Sequence, residues 1–229
     1  MLTRAADAAR RLPADAEDLR QTVGSRQMAA ELLVRGPAAL GPAPTVPVLD
    51  ASTPARQVLT TLNGTWGRHF GEGRPARAEE VTRALDAAAR DRDDDLLRVG
   101  AAMTAGYVQR GRFRGAVEAF ETAESLLPRV GIPPMVFGPH PAVGAPAWRA
   151  MCLLVLGHER AAGVRAEARV RAQHLDDPVA DAYLAVIDLY WWVWGDRPER
   201  AWQVGHAARA AVERIDLAVL RTLMDLPLA

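Results

Sequence analysis

Lysine is missing from this chain: all 28 basic side chains among its 229 residues are arginine, and 28 acidic residues bring the formal charge to zero. Its absence removes Schiff-base chemistry and the lysine of a phosphate-binding loop. The charge balance removes the broad positive footprint of a nucleic-acid or anionic-membrane surface, so neither partner is expected. Cysteine is nearly absent too. A lone Cys152 excludes an intrachain disulfide and a cysteine-based zinc site, and its apolar setting, "AMCLLVL", marks an inert core thiol rather than a reactive one. Asparagine occurs once, as Asn63; its Asn63-Gly64-Thr65 triplet matches a glycosylation acceptor by accident of composition. No uncharged apolar run reaches the roughly 18 residues of a membrane span. The start of the sequence lacks the apolar stretch of a secretory signal, so the expected location is cytoplasmic. Excess arginine and alanine without lysine reads as the codon bias of a GC-rich bacterial genome.

What is present is helical pattern. Hydrophobic residues make up 49% of the chain, ample for a core. They recur at helical spacing with no convincing alternating strand, which predicts an all-α fold. Residues 3–12 and 14–35 read as two N-terminal helices within a unit 1–35. Pro37, Pro42, Pro44 and Pro47 then forbid a continuous helix, making 36–53 a linker. The remainder, 54–229, carries a repeated motif. "GRPARAEEVTRAL" begins at Gly73, "GRFRGAVEAFETA" at Gly111, "GHERAAGVRAEA" at Gly157 and "GDRPERAWQVGHAA" at Gly195. The glycines lie 38, 46 and 38 residues apart, periods that signal stacked helix pairs.

The motif has a physical reading. Each glycine ends one helix in the left-handed conformation and permits a tight reversal. The alanine that follows, Ala78, Ala116, Ala162 and, one residue late, Ala201, lets the paired helices approach closely. In the second unit Phe120 fills the space between neighbouring pairs, Ala123 again removes bulk, and Pro128 closes the helix.

"LLRVGAAMTAGYVQRGRFRGAVEAFETAESLLP" resembles the tetratricopeptide repeat in the spacing of Tyr107, Gly111, Ala116, Phe120, Ala123 and Pro128. The resemblance implies a right-handed solenoid of about four helix pairs, preceded by the N-terminal helices and closed by a C-terminal capping helix. Over about residues 54–215 the chain also looks like the repeat region of large bacterial regulators that join a STAND-type or AAA-like ATPase to such repeats and to a LuxR-type DNA-binding or adenylate cyclase module. Neither the ATPase nor the output module is present, so ATP hydrolysis and DNA binding do not carry over. Where those regulators tend to read Gly-x-Asp-Pro, this chain has Gly138-Pro139-His140-Pro141, without the aspartate that would cap the next helix.

No motif carries catalytic chemistry. Gly71-x-Gly73-x-x-Ala76 superficially matches a dinucleotide fingerprint, but a helix rather than a strand precedes it. His69, His140, His158, His174 and His206 have no paired ligand spacing, so neither a metal nor a cofactor is expected. Asp93, Asp94 and Asp95 fit a helix start better than acid-base work. Two features invite function. "DAYLAVIDLYWWVWGD" is a helix apolar nearly all round, either buried on two sides or offering Trp192, with Trp148 and Met151, as the wall of a groove. Asp188 within it needs a partner, either an arginine or histidine of the next helix or a ligand. At the end of the chain, Leu217, Leu220, Leu223 and Met224 form a stripe that caps the last repeat or meets a second subunit. The expectation is a non-catalytic module that binds a protein or peptide in a bacterial regulator. The alternative is a sensor of a small-molecule effector.

Overall fold

A computed structural model describes residues 49–109, 111–131, 140–215, 220, 221 and 224. Among them the chain is all-helical and has no strand. Eight helices follow in order: α1 (Ala55–Gly71), α2 (Pro75–Arg92), α3 (Asp95–Val108), α4 (Phe113–Val130), α5 (Pro141–Val155), α6 (Ala161–Leu175), α7 (Pro178–Trp194) and α8 (Pro198–Ile215). The segments read as 1–35 and most of the linker 36–53 lie outside the described residues, as do Leu217 and Leu223.

The turns show why the chain reverses where it does. Gly73, Gly111 and Gly157 sit at φ of 70°, 76° and 66°, in the left-handed region that glycine enters without strain. Gly195 does not: its φ is −80°, and the left-handed residue is Asp196, at φ 54°. This corrects the assignment and explains the alanine that came one residue late, since Ala201 lies five residues after Asp196, as Ala78 and Ala116 lie after their glycines. Between pairs, aspartates do the same work: Asp93 and Asp176 are left-handed at φ 50° and 48°. Asp94 then caps α3 by accepting from Leu97 N at 2.9 Å, and Asp177 caps α7 by accepting from Val179 N at 2.9 Å. For α5, which lacks that aspartate, His140 Nδ1 accepts from Ala142 N at 3.2 Å. Burial lowers the His140 pKa, which favours the neutral acceptor form. Proline at the first position starts α5 and α7. Pro128 does not close α4, which runs on to Val130 and ends at Gly131. A proline in the last turn forfeits one hydrogen bond without breaking the helix.

Packing proceeds along the chain, each helix lying mainly against its immediate neighbours except at α6 and α7, whose contact is slight, with further contact between α1 and α3 and between α5 and α7. Every second helix presents the same spacing of four, three and four residues to its partners. The sets are Ala78-Thr82-Leu85-Ala89, Ala116-Phe120-Ala123-Leu127, Ala161-Arg165-Ala168-Ala172 and Ala201-Gly205-Ala208-Val212. Ala161 therefore holds the buried place read for Ala162, which is exposed. The Gly157 turn is one residue shorter than the others, and that moves the stripe. Glycines on the facing helices allow the close approach: a Cβ at Gly106 would meet Phe120 at 2.5 Å, and one at Gly100 would meet Leu59 at 2.2 Å.

The core divides into three linked apolar clusters. One joins α1, α2 and α3, the second α3, α4 and α5, and the third α5 to α8 together with Leu220 and Met224. Tyr107 packs against the first two and Trp148 against the last two. Leu220 and Met224 are each 2% exposed, so part of the C-terminal stripe does lie on the last pair.

Candidate functional site

Helix α7 is apolar on nearly every side because it packs against α5, α6 and α8 at once. Its tryptophans separate accordingly: Trp191 is buried, Trp192 half-buried, and Trp194 exposed with its ring edge-on to Tyr190. Asp188 lies among them, 8% exposed. Arg165 Nε donates to its Oδ1 at 2.6 Å, and Arg169 donates to Oδ2. The Arg165 guanidinium also lies 4.9 Å from the Trp191 ring and 5.2 Å from that of Trp192. One arginine thus neutralises the buried acid and stacks on two indoles, a desolvated position that suits guanidinium better than ammonium. Asp188 has the arginine partner on a neighbouring helix that its position demands. Arg165 and Arg169, one helical turn apart on α6, went unread in the sequence because nothing in α6 alone points across to α7.

The other groove candidates are not gathered around an opening. Met151 is fully buried in the third cluster. Trp148 is half-buried and donates its indole N–H to the Tyr183 hydroxyl, while its ring meets Tyr107 edge-on at 6.0 Å. It belongs to an aromatic run that begins at Phe70, stacked 4.7 Å from Trp66, and passes through Tyr107, whose ring is 5.6 Å from Trp66 and 5.5 Å from Phe120. Burial raises the Tyr107 pKa well above the ordinary phenol value and pushes that of Tyr183 up to about 12, so both hydroxyls stay protonated. Trp148 and Met151 face the core, and Trp192 faces Arg165.

A second polar cluster lies where α4, α5 and α6 meet. Arg149, 7% exposed, is held by Glu121 at 3.2 Å and Glu124 at 2.8 Å. Arg171 adds contacts to Glu124 at 3.1 Å and to Glu167. Burial raises the Glu124 pKa, with Arg149 and Arg171 opposing and Glu167 adding to the rise. Five interlocked charges of both signs clamp three helices. Cys152 is buried, with burial pushing its thiol up to about 11. No group of histidine, cysteine, aspartate or glutamate suited to a metal occurs among the described residues. No helix among them is long and apolar enough to cross a membrane.

Among the described residues the exposed large apolar side chains lie from the end of α5 onward: Val155, Leu156, Val170, Val179, Val193, Trp194 and, most of all, Trp202, 64% exposed on α8. A small concavity of about 70 Å³ lies beside Trp202, walled by Gly205, His206 and Arg209. No family model, curated protein or solved structure matches the chain.

Proposed function

We propose that the chain is a tetratricopeptide-like solenoid that serves as a non-catalytic protein-interaction module in a cytoplasmic bacterial regulator. The observation that carries this reading is the recurrence of one inward stripe, at spacing four, three and four, on α2, α4, α6 and α8, buried except at the half-buried Leu127 and Arg165. Helices that pack mainly on their chain neighbours, each pair reversed at a left-handed residue, fit a repeat architecture. Such stacks present extended surfaces that suit a peptide or a helix better than a small molecule. The exposed apolar side chains from α5 onward fit a docking surface.

The small-molecule reading has less to support it, because Trp148 and Met151 are engaged in packing and Trp192 with Arg165. The two readings part in one experiment. The chain is immobilised to capture proteins from bacterial lysate, and its tryptophan fluorescence is titrated with metabolite pools. A stoichiometric captured protein, lost in a Trp194→Ala variant, together with a silent titration, supports the interaction module. A saturable fluorescence change without a captured protein overturns it in favour of effector sensing.

A further inference from the structure

Helices α3, α5 and α7 each begin at a side-chain cap, and two of the three caps are aspartates, Asp94 and Asp177. A carboxylate is only an acceptor, whereas an imidazole nitrogen accepts only while the ring is neutral. At the start of α5 the acceptor is His140, whose Nδ1 receives the Ala142 N–H at 3.2 Å. Accepting there places the neutral ring's proton on Nε2, which is buried and has no hydrogen-bond partner among the described residues. One bond thus commits the ring to one tautomer, and a second proton can enter only at the cap itself.

That proton turns an acceptor into a donor facing another donor. It also sets a positive charge at a helix N-terminus, where the helix dipole opposes it. The first turn of α5 is built on this residue: Val143 N and Gly144 N both donate to the His140 carbonyl at 2.9 Å. Val143 lies in the third core cluster and Ala145 in the second, so the turn joins the two. From this placement we propose that His140 is a pH switch, whose protonation in mild acid removes the α5 cap and frees the first turn of that helix from the junction of the two clusters. Residues 132–139, just before it, carry no charge. Among the described residues Asp177, the cap of α7, favours the imidazolium. Arg171 reaches the same turn, its Nη1 3.5 Å from the Ala142 carbonyl oxygen, but is held by Glu124 and Glu167. Burial outweighs Asp177 and keeps the His140 pKa below the ordinary 6.5. A histidine with a depressed folded pKa contributes stability that is complete above pH 6.5 and is lost as the pH falls through the folded value.

Amide hydrogen exchange of the full chain, followed by NMR from about pH 7.5 to about pH 5 and corrected for the intrinsic rate, tests the switch across the imidazole range. Protection of Ala142, Val143 and Gly144 should fall about tenfold, the effect of emptying an N-cap, with a midpoint that matches the titration of the His140 ring. Val179 and Asp181 hold the corresponding places behind Asp177, one bonded to its side chain and the other to its carbonyl, and should stay within about twofold. His140→Asn supplies a cap that does not titrate, and in it the three amides should keep their protection at every pH. Protection independent of pH in the wild type overturns the switch, as does a fall that persists in His140→Asn or that Val179 and Asp181 share. The ring titration and the comparison with Val179 need only the wild type, so the result stands even where the variant folds poorly.

Discussion

Arg165 on α6 and Asp188 on α7 meet with Nε and Oδ1 2.6 Å apart, at the place in the stripe where α4 carries Phe120. An ion pair has taken the position of an apolar wedge. It works there because the guanidinium is flat enough to stack on Trp191 and Trp192 while its edge reaches the acid. Replacing Asp188 with Asn keeps the shape and strands two arginines, one of them 19% exposed at its side chain. The expected loss is about 1–3 kcal/mol, since a partly buried cation loses its counter-charge. Urea denaturation at pH 7 measures it. The pair Arg165→Met with Asp188→Leu should be closer to wild type than either single change, because it removes both charges and keeps the volume.

Ala161 and Ala162 are neighbours with opposite fates, the first buried and the second exposed. Ala161→Leu should cost about 1–3 kcal/mol by overpacking the α5–α6 contact, whereas Ala162→Leu should stay within about 0.5 kcal/mol of wild type, as surface changes do. Thermal melts of the two variants settle which alanine belongs to the repeat.

That pair also marks how far the sequence could be read. The all-α class was legible, because helical periodicity runs through the whole region and no alternation competes with it. The glycine turns at 73, 111 and 157 were legible for the same reason: left-handed backbone nearly demands glycine. At the fourth turn the demand is met by Asp196, which tolerates that conformation less obviously, so the pattern pointed one residue early at Gly195. Alanine in an alanine-rich chain is weak evidence of burial, and a turn shortened by one residue sufficed to exchange Ala161 for Ala162. The groove could not be read at all. Trp148, Met151 and Trp192 share a helical region in sequence, but the directions they take depend on Tyr183, the α5 core and Arg165, each on a different element.

Gly106 carries a cost that its place in mid-helix conceals. A Cβ there would lie 2.5 Å from Cε1 and Cζ of Phe120, a ring that is 1% exposed and has nowhere to go. Helix propensity alone would make Gly106→Ala stabilising by about 1 kcal/mol. Overpacking should win, with a net loss of about 1–2 kcal/mol. Gly106→Ala combined with Phe120→Leu should recover part of it, since the smaller side chain gives the methyl room, and chemical denaturation of the three variants checks the coupling.

Glu124 gives the fold a pH dependence of unexpected sign. Burial raises its pKa above the ordinary 4.5, against the pull of Arg149 and Arg171. A carboxyl whose folded pKa exceeds its unfolded value binds its proton more tightly in the folded state. Its contribution to stability is therefore complete below pH 4.5 and fades as the pH rises through the folded pKa. Asp95 behaves in the usual way: Arg98 holds its pKa low, and its contribution is lost only as the solution becomes acidic. The two are separated by comparing wild type with Glu124→Gln between pH 4.5 and 7. The stability of the wild type relative to the variant should fall as pH rises, because only the wild type must ionise a buried carboxyl. A difference that stays constant or grows with pH would mean that the two arginines outweigh desolvation and that Glu124 is ionised throughout the folded state.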